Sequence, residues 1–364
     1  GLVLDSNWKW IHDGVIEGIE LPEYEKTYGI SKQGDNLILK FVTVGQYGTN
    51  YGSRVYVTEK GAKKYKFFDL RDKIFSVTVD VSQLPCGLNG AIYFVQMPDV
   101  DASMGIGYCD AQLPDDLKII GDEFNTKKQR FGCSEFDISE MNSNAIMTAG
   151  HTCMKNGKPF TGICTGSDCG VGSDRYKGVC DKDGSDLNLY RLGNRDLYGP
   201  SDKFKINTLK PFTIEVEFDK DIVHRRFIQD GKIIQAGDLI EAEIKERKKK
   251  FGETYYPQGG LLGFPLDKLV LVLSLWDDTS THMKWLDSTY GSGPGAVRGP
   301  CTGNQSPEYL RKTFPDSKLI IKQISLRPRK GIKEEIIPPK DKEPKKDNDK
   351  IWVCKSCLLV EPWA

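Results

Sequence analysis

Between residues 132 and 153 the chain reads GCSEFDISEMNSNAIMTAGHTC, which places Glu135, Asp137 and Glu140 within six residues and His151 a short way beyond. Three like charges this close repel one another and cost stability unless something needs them. If SEFDISEMN is a strand, its side chains alternate between two faces, so Glu135 and Asp137 share one. Glu140 falls on the other face unless one extra residue, a β-bulge, turns it back. With that bulge all three acids point into one concavity. Two carboxylates in a cleft are the machinery of glycoside hydrolysis. At about 5 to 5.5 Å they act as nucleophile and acid/base with retention of configuration, and at about 6.5 to 9.5 Å they leave room for an inverting water. Neighbouring positions on one strand favour the shorter separation, hence retention. The third acid then has a role. A proton shared between Asp137 and Glu135 relieves their repulsion, while like charge and partial burial keep Glu140 protonated. Two plainer readings fit the same residues. A solvated acidic strand needs no chemistry, and clustered carboxylate oxygens also bind a hard cation such as calcium.

Strands must position these groups, and alternation dominates the chain. NLILKFVT (36–43), SRVYVT (53–58), FSVTVDVS (75–82), AIYFVQM (91–97), FTIEVEF (212–218), KLVLVLSLW (268–276) and SKLIIKQISL (317–326) all read as strands. Turn signals such as QGDN, EKG, QDG and GSGPG separate them. Helical patterning is confined to SPEYLRKTF (306–314) and EAEIKERKKK (241–250). The expectation is an all-β fold of two antiparallel sheets packed face to face.

Charge and composition narrow the partners. Lys+Arg and Asp+Glu balance at 51 each in 364 residues, so bulk electrostatics indicate neither nucleic acid nor a membrane surface. There is no apolar run long enough to span a bilayer. There is no charged-then-apolar leader either, so any signal peptide is expected to have been removed or to be absent from this sequence. The ten cysteines are irregularly spaced, with CxxC only at Cys354 and Cys357. That fits disulfides in an oxidising compartment better than a zinc framework, and a secreted, extracellular protein is expected. After about Pro328 the composition turns Lys/Glu/Asp/Pro-rich. Residues 1–328 are therefore expected to form one catalytic domain, 329–350 a mobile linker, and 351–364 a docking tail or the start of a second module.

The motif around the acids resembles the catalytic strand of glycoside hydrolase family 7, the retaining cellulases that include cellobiohydrolases and endoglucanases. LDSNWKW (4–10), VSQLPCGLNGAIYFVQM (81–97), GIGYCDAQ (105–112), YRLGNRDLYGP (190–200), LSLWDDTSTHMKWLDSTY (273–290) and PGAVRGPC (294–301) resemble family segments in family order. The resemblance implies a concanavalin A-like β-jelly-roll sandwich with a long substrate cleft. It implies disulfides Cys86–Cys301, Cys109–Cys133, Cys153–Cys180 and Cys164–Cys169. Leu113 and Gly132 stand where the family often carries a further bridged pair, so both halves are lost together. Residue by residue, Glu135 resembles the nucleophile, Glu140 the acid/base, Asp137 the acid supporting the nucleophile, and His151 a histidine on the leaving-group side. Trp8, Trp10, Trp276 and Trp285 resemble the tryptophans that floor the cleft. Asn89, Tyr93, Tyr108, Asp110 and Gln112 resemble polar groups on the glycone side. Arg175, Asp183, Arg191 and Arg298 resemble groups on the product side, and Asp277 follows Trp276 into the same set.

Departures refine the expectation. Ser139 and Met141 replace the Trp and Ala that usually flank the acid/base, and the strand that usually precedes LDSNWKW has no counterpart, as in a fragment. The segments between GIGYCDAQ and GCSEFD, and between FTIEVEF and KLVLVLSLW, are short. In the family long loops there roof a tunnel, so short ones imply an open cleft and endo cleavage of cellulose or related β-1,4-glucans. Release of cellobiose from chain ends is the alternative, and an inactive glycan-binding relative the alternative of another class. The implied mechanism requires no metal or organic cofactor, and the polysaccharide is the one expected partner of a monomer.

Overall fold

The computed structural model describes residues 1–12, 15–16, 21–61, 63–219, 222–256 and 261–329. Its principal strands are β1 (Leu2–Leu4), β2 (Ile30–Gln33), β3 (Asn36–Lys40), β4 (Ser53–Val57), β5 (Lys73–Asp80), β6 (Leu88–Val95), β7 (Glu135–Met141), β8 (Ile146–His151), β9 (Ser185–Asn188), β10 (Phe212–Asp219), β11 (Ile222–Gln229), β12 (Lys232–Gln235), β13 (Leu269–Asp277) and β14 (Lys318–Pro328). One sheet runs β1-β4-β13-β6-β7-β8-β9 and the other β12-β11-β10-β5-β14-β3-β2, each with one further short strand at its side. Every pairing within the two sheets is antiparallel. The expected two-sheet sandwich is therefore present. A short strand, β1, does lead into LDSNWKW and ends the first sheet.

The sandwich forms because alternate residues bury between the sheets. Val55, Ile92, Phe94, Phe136, Leu271 and Leu273 of the first sheet meet Phe75, Val77, Ile214, Val216, Leu319 and Ile321 of the second in one core. Phe136 sits edge-on to Phe218, and Phe94 edge-on to Phe75. The intervening residues of the first sheet, among them Ala91, Tyr93, Glu135, Asp137, Ser274 and Trp276, face the other way and line a concave cleft.

The longer helices among the described residues are α1 (Leu21–Tyr28), α2 (Glu241–Phe251) and α3 (Pro307–Thr313). Ser306 caps α3 by accepting from the Tyr309 amide, with Pro307 in its first turn. Among the described residues no helix is long and apolar enough to cross a membrane.

All four implied disulfides are present, Cys86–Cys301, Cys109–Cys133, Cys153–Cys180 and Cys164–Cys169. A Cβ placed on Gly132 would lie 2.4 Å from the Leu113 side chain, so these two positions are neighbours and leucine fills the space over glycine. Arg329 ion-pairs with Glu217 and Asp219. The rest of the expected linker 329–350, the tail 351–364, Cys354 and Cys357 lie outside the described residues.

Candidate active site

β7 carries the acids, and its register contains the bulge that the sequence required. Against β6, Ile92 faces Ser139 while the next residue, Tyr93, faces Asp137, so Ile138 is the additional residue. Against β8 the register likewise shifts between Asp137, opposite Ala149, and Glu140, opposite Met147. The result is visible in the burial: Phe136, Ile138 and Met141 join the core, and Glu135, Asp137 and Glu140 all line the cleft. The Thr148 hydroxyl donates to the Asp137 carbonyl at the irregular point.

The cleft encloses about 850 Å³. Glu135, Asp137 and Glu140 are each less than a tenth exposed, which disposes of the solvated-strand reading. Among the described residues, the one acid, cysteine and histidine group whose ligand atoms lie within 4.8 Å of one another is Cys86, Asp287 and Cys301. Its two sulfurs are already joined as a disulfide.

Burial raises all three acids. Burial, then the Asp137 charge, push Glu140 up to about 8, against a 2.8 Å hydrogen bond from Asn89 Nδ2 and the nearby His151. Burial, Asp137 and Asp110 push Glu135 well up. The Ala111 amide, 3.2 Å from Glu135 Oε2, stabilises its charged form. Burial and Asp110 also raise Asp137. His151 sits opposite Glu135 in the β7–β8 register. Its Nδ1 lies 2.8 Å from the Asp181 carbonyl, so Nδ1 carries hydrogen and donates. Its Nε2 lies 3.2 Å from Asp137 Oδ2. A carboxylate cannot donate, so that second contact requires one proton shared between His151 and Asp137. The imidazole thus engages one oxygen of the Asp137 carboxyl. Gly184, at φ +69°, permits this packing: a Cβ there would lie 2.5 Å from the His151 ring.

The remaining sequence-derived residues sort into three groups. Trp8, Tyr93, Tyr108, Asp110 and Gln112 line the cleft on one side of the acids. There the Tyr108 hydroxyl donates to Asp110 (2.8 Å) and lies 3.1 Å from the Tyr93 hydroxyl. Trp276, Asp277, Trp285, Arg175, Asp183 and Arg298 line it as well. Trp276 and Trp285 lie 6.3 Å apart, tilted by 31°. Asp277 is held by Arg311 at 2.7 and 3.1 Å. Asn89, Trp10 and Arg191 do not line the cleft. Asn89 is fully buried and acts through Glu140. Trp10 packs against the core, its ring 3.3 Å from where a Gly48 Cβ would be. Arg191 lies behind the wall, its side chain 3 % exposed, paired with Asp186 and Glu253.

Several lining residues have no signal in the sequence. Arg54 pairs with the fully buried Asp5 at 2.5 Å and lies 3.4 Å over the Tyr108 ring. Asp278 anchors Trp285 through its indole NH at 3.2 Å. Burial opposes the charge of Asp278, yet hydrogen bonds from Thr281 and Ser280 hold it down at about 2. Lys182, Asp186, Lys248 and Glu253 also reach the cleft, from a loop, a strand and the α2 region.

The chain is similar to known proteins over most of its length. The profile described as Glycosyl hydrolase family 7 matches residues 13–328. The chain is 37 % identical to Exoglucanase GH7B of Limnoria quadripunctata, covering 90 % of this chain and 89 % of that protein. Its fold is similar to a GH7 family cellobiohydrolase from Daphnia pulex, with TM-score 0.85, 31 % identity, and 90 % and 92 % of the two chains covered. It is also similar to a double mutant of Humicola insolens endocellulase EGI, with TM-score 0.75, 29 % identity, and 89 % and 90 % covered.

Proposed function

The chain belongs to glycosyl hydrolase family 7, and from that premise we propose that it cuts internal β-1,4-glucosidic bonds of cellulose or related β-glucans with retention of configuration. The observation that carries the chemistry is the bulge, which turns Glu140 into the concavity that already holds Glu135. Glu140, protonated up to about pH 8, gives its proton to the glycosidic oxygen as the bond to the anomeric carbon breaks. Glu135 attacks that carbon from the opposite face and forms an ester. Glu140, now a carboxylate, takes a proton from water, which displaces Glu135 and restores the starting configuration. Asp137 and His151 share the neighbouring proton and limit how many charges the buried site carries at once. Trp276 and Trp285 offer flat apolar faces to successive sugar rings. The protein is secreted and acts as a monomer on its polysaccharide.

Endo action is supported by the course of residues 113–131, none of which lines the cleft. That segment folds back on the N-terminal turn, where Asn7 Oδ1 accepts from the amides of Lys118 (2.8 Å) and Ile119 (3.1 Å). A chain can then enter mid-length. Release of cellobiose from chain ends is the second reading, favoured by the names of the Limnoria and Daphnia relatives. Viscosity and reducing ends followed together on carboxymethylcellulose and barley β-glucan separate the two. Early loss of viscosity is expected, and reducing sugar accumulating at nearly constant viscosity would overturn the endo assignment.

A further inference from the structure

The end of the cleft that holds Trp285 and Arg298 is crowded with charge, and the charges do not balance. Three carboxylates stand there, Asp183, Asp186 and Glu253. Each is already met by arginine: Asp183 by Arg175 (Nε at 2.9 Å), Asp186 by Arg191 (3.3 Å), and Glu253 by both Arg191 and Arg298. Arg247 of α2 is spent on the Asp186 carbonyl. Two cations are left over, Lys182 and Lys248. Both line the cleft, and neither ammonium forms a hydrogen bond or ion pair with a described residue. They come from separate elements, the turn after Cys180 and the buried face of α2.

Lys248 is only 2 % exposed. Its charge is felt by Asp183: burial disfavours that carboxylate, but Arg175, a hydrogen bond from Tyr176 and then Lys248 keep it below its usual range. Lys182 stands near Arg130, which is itself bonded to Asp115 at 2.5 Å, and near Arg175. Burial and then these two arginines, opposed by Asp110 and Asp115, push Lys182 down to about 8, so it is charged at acidic and neutral pH. Burying an ammonium with no directly bonded carboxylate is costly. A neutral glucan offers hydroxyls that any polar side chain could meet, and supplies no direct partner to either ammonium.

We propose that this end of the cleft accepts a sugar carboxylate, carried either by a chain end oxidised at C1 to an aldonate or by a residue oxidised at C6 to a uronate. The inference rests on the reading of the cleft as a glucan site. On that reading the leaving-group side holds the reducing end of the bound chain, which is where a C1 aldonate would lie. The carboxylate forms charge-assisted hydrogen bonds with Lys182 and Lys248, and the arginines keep their present partners.

Calorimetric titration of the intact protein with cellobiose, with cellobionate and with a disaccharide ending in glucuronate tests this at low and at 0.5 M salt. At low salt the carboxylate ligands are expected to bind roughly tenfold more tightly than cellobiose, with the advantage shrinking as salt screens it. The larger of the two gains identifies the aldonate or the uronate as the source. Lys182→Gln and Lys248→Gln should each remove part of the advantage and the double variant all of it, while Lys→Arg retains it. The arginine variants also control for loss of folding. Equal affinity of wild type for cellobiose and the carboxylates, or an advantage that survives in the double variant, overturns the proposal. Failure of cellobiose itself to bind would instead remove the glucan-cleft reading, and this proposal with it.

Discussion

Asn89 makes a prediction that separates positioning from packing. Its Nδ2 donates to Glu140 Oε1 at 2.8 Å, and its Oδ1 accepts from the Met141 amide at 3.2 Å. The first bond favours the charged form of Glu140, opposing the burial and the Asp137 charge that raise this acid to about 8. Removing the donor in Asn89→Ala therefore raises Glu140 further. A hydrogen bond to a charged acceptor is worth about 1.5–3 kcal/mol, and about 1.4 kcal/mol corresponds to one pH unit. Water entering the vacated space returns part of this, so the rise should be about one unit. The general acid then keeps its proton to higher pH, and the alkaline limb of kcat/KM on a soluble β-glucan moves up by that amount. The acid limb stays in place if β7 keeps its bulge. An alkaline limb that stays still or moves down would refute the assignment of Glu140 as the acid and of Asn89 as the group that tunes it.

Two further predictions concern stability. Because the folded-state value of Glu140 lies above its unfolded one, the native protein holds a proton that the unfolded chain loses between about pH 4.5 and 8; stability from this group is present at low pH and falls as pH rises through that window. Glu140→Gln should therefore raise Tm at pH 7.5 more than at pH 5, by up to a few kcal/mol of unfolding free energy, and an equal change at both pH values would contradict the linkage. Replacing Cys86 and Cys301 by Ala together, a bridge spanning 215 residues, should cost about 5 kcal/mol against about 2 kcal/mol for the Cys164–Cys169 bridge spanning 5; denaturant midpoints that rank the two pairs the other way would contradict this ordering.

The strands whose alternation is clean were legible to within a few residues: FTIEVEF became Phe212–Asp219 and KLVLVLSLW became Leu269–Asp277. β11 was not, because IVHRRFIQ carries Arg225 on its inward face, 2 % exposed and pushed down to about 10 by burial. A charged residue at a core position erases the pattern that marks a strand. Helix α1 escaped notice because LPEYEKTY is short and begins beside a proline. At the site, the three acids and the bulge could be read because a period of two makes one extra residue predictable. The four disulfides and the tryptophans came from resemblance. Lys182, Lys248 and Glu253 could not be read at all, since they enter the cleft from a loop, a helix and the residues after it, with no local pattern to mark them. Arg191 and Asn89 were found but misplaced by one layer. They support groups that line the cleft and do not line it themselves.

The central claim is that Glu135 attacks the sugar and Glu140 supplies the proton. Incubation with a 2-deoxy-2-fluoro-cellobioside bearing an activated leaving group slows the second step, and peptide mass mapping then locates the trapped sugar. The account predicts one glycosyl ester, on Glu135, and its absence in Glu135→Gln. A label on Glu140 or Asp137, or rapid turnover with no covalent species and release of the α-anomer, would contradict it.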